Sequence, residues 1–199
     1  YEPGDPLKLI DWKATARHNR LLTRVLEPDN SLVAIPLLNI DTTGVPYGGF
    51  VPKNLERVIT VAASITWESL IAGRSVGIVT NGKSVLYERP MSVRPGRNPK
   101  QLSLIFEALA MASPFVGSQI DHDLLITSRK LPPGATFLFI TGIMNEAIQN
   151  ALEILASQHR APLVLWVSDW EPEGIPDNIH WKDLSRQLSS LEEHHDIPV

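Results

Sequence analysis

Histidines and acidic residues crowd the end of the chain, where His194-His195 stand among Glu192, Glu193 and Asp196. Imidazole and carboxylate groups bind metals and transfer protons. Paired histidines without a rigid scaffold rarely complete a coordination shell, so we interpret this stretch as a solvated end. Serine, histidine and aspartate occur elsewhere, but no pairing stands out as an assembled catalytic site. We therefore predict that the chain is not an enzyme, with a hydrolase of unknown substrate as an alternative.

Two tryptophans, Trp166 and Trp170, flank Ser168-Asp169 just after a buried strand near the end of the chain. Open α/β folds bind ligands at the carboxyl ends of their strands. Exposed tryptophans there could anchor a partner protein. The structural interpretation, which we favour, is one buried ring and one partly exposed ring in a loop.

The elements that position these residues alternate between strands and helices. Apolar runs predict buried strands at 31–40, 135–140 and 162–167, although Pro36 interrupts the first. Helical spacing predicts helices at 52–73, 101–112, 121–128, 145–158 and 181–193, with a short helical segment at 8–17 and a strand at 20–27. Asn81-Gly82 predicts a tight turn between strands 75–80 and 84–88, followed by a loop at 89–98.

Strands that alternate with helices predict an α/β fold with a mainly parallel sheet and helices on both faces. The predicted hairpin adds one antiparallel strand at an edge. We expect residues 1–30 to form a segment packed on a single globular domain, residues 31–199.

Composition narrows the classes of function. The chain has 199 residues, a net charge of −4 and no cysteine. The negative charge argues against nucleic-acid binding, and the absence of cysteine excludes disulfides and thiolate metal sites. No apolar run approaches the ~20 residues of a membrane-spanning helix. Because the chain begins at Tyr1 without a methionine, we interpret it as a fragment whose missing N-terminal region could carry a membrane anchor.

The first residues carry a distinctive motif. Tyr1-Glu2-Pro3-Gly4-Asp5 and then Ile10-Asp11-Trp12-Lys13-Ala14-Thr15-Ala16-Arg17 resemble the signature of the bacterial and archaeal domain-of-unknown-function 58 family. The resemblance implies a von Willebrand factor A-like domain, Rossmann-like in architecture. It also implies membrane-linked proteins encoded beside MoxR-type AAA ATPases, which places the domain on the cytoplasmic side of a membrane.

The von Willebrand A resemblance further implies where a metal would bind. Such domains often hold Mg²⁺ through Asp-x-Ser-x-Ser after the first strand, a threonine in a later loop and an aspartate after a later strand. Here the first motif becomes Asn39-Ile40-Asp41-Thr42-Thr43, the loop with Arg94 and Arg97 has no threonine, and Ile140-Thr141-Gly142 has no aspartate. Hard cations require several charged oxygen ligands. We therefore predict no cofactor and keep Asn39, Asp41 and Thr43 as weak candidates for Mg²⁺.

Basic residues are in local excess near the N-terminus, with acidic residues among them. They could dock an acidic partner or, because mixed charges pair locally, latch the segment onto the domain with the Trp12 ring buried. The candidate partner-binding residues are Asp11, Trp12, Lys13, Arg17, Arg94 and Arg97. Our leading hypothesis is a non-enzymatic protein-interaction module whose partner, implied by the resemblance alone, is a MoxR-type AAA ATPase. The alternative is a metal-dependent adhesion-type domain.

Overall fold

The computed structural model describes residues 10–23, 32–45, 48–85 and 90–195. The chain divides into two compact units, Tyr1–Ser31 and Leu32–Val199. Packing of the first unit on the second stays a prediction.

The described part of the first unit is a capped helix, α1, at Trp12–His18. The Asp11 carboxylate accepts a hydrogen bond from the Ala14 amide at 3.0 Å, so Asp11 is the N-cap of this helix. Asn19 ends the helix in the left-handed conformation, with a φ of 51°. The family motif therefore encodes the start of a helix.

The chain after α1 returns beside Asp11. The Asp11 amide donates to the Leu22 carbonyl at 2.9 Å, and the Leu22 amide donates to the Thr15 hydroxyl at 3.1 Å. These bonds support an isolated antiparallel bridge between Ile10 and Thr23. The strand predicted at 20–27 is wrong for its described part, 20–23, which contributes only this bridge, and residues 24–27 lie outside the described residues.

In the second unit, the described residues form one seven-stranded sheet with the order β3-β2-β1-β5-β6-β7, and β4 pairs with β2 off this path. The strands are β1 Val33–Leu38, β2 Ser75–Ser84, β3 Pro90–Gly96, β4 Ala112–Val116, β5 Thr136–Thr141, β6 Leu163–Trp166 and β7 Trp181–Asp183. Strands β2, β1, β5, β6 and β7 are parallel, whereas β3 and β4 are antiparallel to β2.

Helices cover both faces of the sheet because apolar side chains alternate between the faces along each strand. Leu38 and Ile140 pack toward α2, α3 and α6, whereas Leu37 and Phe139 pack toward α4 and α5. The helices are α2 Pro52–Ile71, α3 Gln101–Ala110, α4 Ile120–Lys130, α5 Glu146–Ser157 and α6 Ser185–His195. Pro36 is accommodated within β1, in the interior of the sheet.

The predicted hairpin is wrong in position. Strand β2 continues through Asn81-Gly82 to Ser84, and the antiparallel edge strand β3 occupies most of the predicted loop at 89–98. Strand β4 was not predicted. The last predicted helix begins at Ser185, because residues Trp181–Asp183 pair with β6 as strand β7.

Gly82 is required by packing within the sheet. A Cβ atom at this position would lie 2.6 Å from Cγ1 of Ile40, a side chain with no exposed surface. A glycine after asparagine therefore signals a close approach between two strands here, and the turn interpretation was mistaken.

We predict that Gly82→Ala lowers the free energy of unfolding by about 1–3 kcal/mol, because the added methyl group overpacks the core against Ile40. Urea denaturation measures this change. The same substitution in an Ile40→Ala background should cost less than half as much. Equal costs in the two backgrounds would rule out the clash as the cause.

Candidate functional site

The guanidinium of Arg57 joins three elements at the carboxyl end of the sheet. Arg57 lies on α2 and is only 1% exposed. Its Nη1 donates to the Val167 carbonyl at 2.9 Å and to Asp169 Oδ1 at 2.6 Å, just after β6. Its Nε and Nη2 donate to the two carboxylate oxygens of Glu192 on α6 at 2.7 and 2.9 Å, and Nη2 also donates to Ser189. Two carboxylates and the hydrogen bonds compensate the burial of this charge.

Lys53, one turn before Arg57 on α2, extends the same network. Its Nζ lies 2.7 Å from Asp169 Oδ2 and 3.5 Å from Glu192 Oε2. Hydrogen bonds from Lys53 and then Arg57 hold the pKa of Asp169 below its ordinary value, and the Arg57 hydrogen bonds lower the pKa of Glu192. The hydrogen bond to Asp169 raises the pKa of Lys53. At neutral pH this network therefore carries two paired cations and two paired anions.

A buried amide network joins the carboxyl ends of β1 and β5 to Asn81 within β2. Asn39 Oδ1 accepts hydrogen bonds from the Asp41 amide at 3.1 Å and from Asn81 Nδ2 at 2.9 Å, while Asn39 Nδ2 donates to the Thr141 hydroxyl at 3.1 Å. Asn81 Oδ1 accepts from the Ile40 amide at 2.7 Å. Because Asn39, Asn81 and Thr141 are buried, these bonds satisfy groups that water cannot reach.

Asp41 and Thr43 shape the loop that follows β1. Asp41 Oδ1 accepts hydrogen bonds from the amides of Thr43 at 3.1 Å and Gly44 at 2.9 Å. Gly44 has a φ of 66°, which lets the loop turn back beneath the carboxylate. This is the local capping role that short acidic side chains take in turns.

These residues do not fit a divalent cation. The oxygen of Asn39 is occupied by two hydrogen bonds, one oxygen of Asp41 by the loop amides, and the Thr141 hydroxyl by Asn39 and Ile143. The carboxylate of Asp169 is paired with Lys53 and Arg57. Across the described ranges, no cluster of three or more His, Cys, Asp or Glu side chains has the arrangement of a metal site.

Arg94 and Arg97 lie far from Asp41. Strand β3 runs antiparallel to β2 and pairs Gly96 with Val76, at the amino end of the parallel strands. Both arginines are exposed there, whereas Asp41 follows the carboxyl end of β1. These arginines therefore place no positive charge beside Asp41. Within the described residues, the cations that pair with carboxylates at that end are Lys53 and Arg57. The sequence signal for them is weak, since basic residues four apart on a helix usually face solvent.

The candidate residues of the N-terminal motif have separate roles. Asp11 caps α1, while Trp12, Lys13 and Arg17 are exposed on it. Trp12 is 66% exposed, and burial of its ring against the second unit stays a prediction. Their part in partner binding stays a prediction.

Trp166, the last residue of β6, and Trp170 in the following loop agree with the favoured structural interpretation. Trp166 is buried and its Nε1 donates to the Trp170 carbonyl at 2.7 Å, whereas Trp170 is 65% exposed. Trp170 directly follows Asp169, which belongs to the charged network. Phe50, exposed just before the N-cap of α2 and three residues before Lys53, belongs to the same end of the sheet.

Two stretches of the sequence match motifs of catalytic and phosphate-binding sites, but the structure gives each a different explanation. Residues 73–77 match Gly-x-Ser-x-Gly, but they lead from α2 into β2, and a nucleophile elbow requires a strand-to-helix turn. Residues 77–84 match Gly-x-x-x-x-Gly-Lys-Ser, but they are strand β2 and lack the loop and helix that cradle phosphate. Both glycines of the second motif are packing positions, since a Cβ on Gly77 would lie 2.6 Å from the Val93 carbonyl.

The fold defines a von Willebrand A-like domain. The structure is similar to the SpRpn10 VWA domain, with a TM-score of 0.50 at 9% identity over 82% of this chain and 94% of that one. It is also similar to proximal thread matrix protein 1 from the mussel byssus, with a TM-score of 0.51 at 13% identity over 81% of this chain and 45% of that one. The predicted fold class, a mainly parallel sheet between helices with one antiparallel edge hairpin, is confirmed.

The chain belongs to the family described as Protein of unknown function DUF58, whose model matches residues 1–186. It is 32% identical over 83 residues to the uncharacterized protein YeaD of Bacillus subtilis (strain 168). That match covers 42% of this chain and 19% of YeaD, so the chain spans about a fifth of that relative. The family resemblance of the N-terminal motif is confirmed. None of the helices that the structure describes has the length and hydropathy needed to cross a bilayer.

We predict that the Arg57 network makes the domain sensitive to acid. The pKa values of Asp169 and Glu192 are lowered in the folded state, so their stabilisation is present above the ordinary values of 3.8 and 4.5 and is lost as the pH falls through the lowered ones. Glu192→Gln should lower the free energy of unfolding at pH 7 by about 1–2 kcal/mol. This loss is smaller than that expected for breaking a fully buried ion pair, because Glu192 is partly exposed and water screens its charge.

Urea denaturation between pH 3 and pH 7 measures this dependence. The variant should lose less stability than the wild type on acidification. The matched control is Glu193→Gln, which changes the exposed neighbouring residue and should leave the pH profile unchanged. Identical profiles for Glu192→Gln and the wild type would contradict the assignment.

Proposed function

We propose that this domain is a non-enzymatic protein-interaction module. The observation that carries the proposal is that polar side chains at the carboxyl end of the sheet already form hydrogen bonds and ion pairs with one another. Asn39 and Thr141 are tied into the amide network, and Asp169 is paired with Lys53 and Arg57. Groups committed in this way are poor ligands for a metal and poor proton-transfer groups, which favours a role in contact over one in catalysis.

The proposed contact surface is the carboxyl end of the sheet around Trp170. Trp170, which follows Asp169, and Phe50, three residues before Lys53, both expose aromatic surface at the end of the sheet that holds the Lys53–Asp169 ion pair. A large aromatic side chain surrounded by polar groups is the typical centre of a protein–protein interface. Exposed Val45, in the loop after β1, adds apolar surface at the same end.

The partner that we propose is a MoxR-type AAA ATPase. The support is membership in the DUF58 family together with the implication, drawn from the sequence motif, that such ATPases are encoded beside its members. A tether to the cytoplasmic side of a membrane through a region outside this chain is part of the same proposal.

Substituting the exposed tryptophan tests the surface. We expect Trp170→Ala to weaken capture of a MoxR-type ATPase at least tenfold, because truncating a central anchor typically costs about 2 kcal/mol or more. Purified proteins in a pull-down or by interferometry, with and without ATP, give the measurement. The control is Trp67→Ala, which removes a 48% exposed tryptophan near the far end of α2. Failure of the wild type to bind in either nucleotide state would overturn the partner. Equal loss in both variants would overturn the surface.

Titration with a metal tests the competing adhesion-type function. We expect no heat on adding millimolar Mg²⁺ or Mn²⁺, since the carboxyl end of the sheet offers too few carboxylate oxygens that are free of other bonds. Asp41→Ala provides the matched control. Heat that appears in the wild type and disappears in Asp41→Ala would replace our proposal with metal-dependent binding.

A further inference from the structure

A cleft of about 580 Å³ lies between helix α4 and the edge strand β3. Its volume is within the range of about 300–1,000 Å³ that small-molecule sites occupy. It is separate from the surface around Trp170, because β3 lies at the opposite edge of the sheet from β6, the strand that Trp170 follows. Binding of a ligand in this cleft is therefore independent of the proposed contact with a protein.

Apolar side chains form the floor and one wall of the cleft. Ile35 of β1, Val79 of β2 and Met91 of β3 line it from the sheet, and Ile126 and Leu131 line it from α4 and the residue after it. Ile35 and Met91 are buried, and Val79 and Ile126 are half-buried. A ligand with an apolar body would gain free energy by covering these side chains.

Charged side chains converge on the same cleft from both walls. Arg94 reaches it from β3 and Lys130 from the last turn of α4, and within the described residues neither forms an ion pair. One carboxylate, that of Asp123, also lines the cleft and accepts a hydrogen bond from the Ser118 hydroxyl. Two cations facing one anion leave a single positive charge in excess.

We propose that this cleft binds a small amphipathic carboxylate, a molecule with one negative charge and an apolar chain or ring. The carboxylate lies between Arg94 and Lys130, where the planar guanidinium can donate two parallel hydrogen bonds. The apolar body covers Ile35, Val79 and Leu131. A second negative charge on the ligand would have no counterion in the cleft, because Asp123 offsets one of the two cations, and removing an uncompensated charge from water costs free energy.

Calorimetric titration with octanoate tests this site. We expect saturable binding with a Kd of about 1 mM or tighter. Octanol, which keeps the chain and lacks the charge, should bind about tenfold more weakly, and octyl phosphate, which carries more charge, should also bind more weakly than octanoate. NMR spectra recorded along the octanoate titration should show shifts of Ile126 and Leu131.

Two variants locate the binding. Ser92→Trp introduces a large ring at an exposed position of β3 that lines the cleft, and it should abolish octanoate binding with the thermal midpoint retained. Lys130→Gln should weaken octanoate about three- to tenfold. The matched control Arg129→Gln, on the same helix turn and not lining the cleft, should change the Kd less than twofold.

Several results overturn the proposal. They are the absence of saturation up to about 10 mM octanoate, binding that survives Ser92→Trp, equal binding of octanol, tighter binding of octyl phosphate, and equal effects of Lys130→Gln and Arg129→Gln. Absence of saturation, or binding that survives Ser92→Trp, would show that octanoate does not bind in the cleft. The other three results would show that the cleft does not recognise a single carboxylate through Lys130. None of them bears on the Trp170 surface, so the two proposals fail independently.

Discussion

The buried guanidinium of Arg57 is the constraint on which the carboxyl end of the sheet depends. A cation that is 1% exposed is tolerated only where several oxygens surround it, and here these oxygens come from Val167, Asp169, Ser189 and Glu192. The last two lie on α6, so one side chain fixes where the final described helix meets α2 and the end of β6. Any rearrangement of that end has to move these groups together, because separating them would leave a charge buried without a counterion.

The amide network of Asn39 performs a related task without charge. A carboxylate at this position would have no hydrogen to donate to Thr141, whereas the amide donates to Thr141 and accepts from Asp41 and Asn81 at once. Asn39 stands where the metal-binding motif has an aspartate. The amide therefore gives up a carboxylate ligand for a cation and instead connects three strands by hydrogen bonds. The hydrogen bonds of Asp41 continue this connection into the loop.

Much of the fold was predictable because its signals are local. Buried parallel strands are continuous apolar runs, and Pro52 marks the start of α2. The turn predicted at Asn81-Gly82 was wrong because glycine is needed there for another reason. Ile40 lies too close to β2 for any residue with a Cβ atom at position 82. The site was predicted less well than the fold. Asn39 and Asp41 were found through the motif, but Arg57 was not, since its partners lie more than a hundred residues away and only the folded chain brings them together.

The backbone that carries Trp170 is secured at three consecutive residues. The Trp170 amide approaches the Ser168 hydroxyl, Asp169 is bound by Lys53 and Arg57, and the Trp170 carbonyl accepts the indole hydrogen of buried Trp166. A projecting ring on a mobile loop loses backbone freedom when a second molecule covers it, and that loss opposes association. Here most of the ordering has already taken place during folding. A partner that binds this ring, as we propose, would therefore cost little backbone entropy, and the lifetime of that complex would depend chiefly on the fit of the indole.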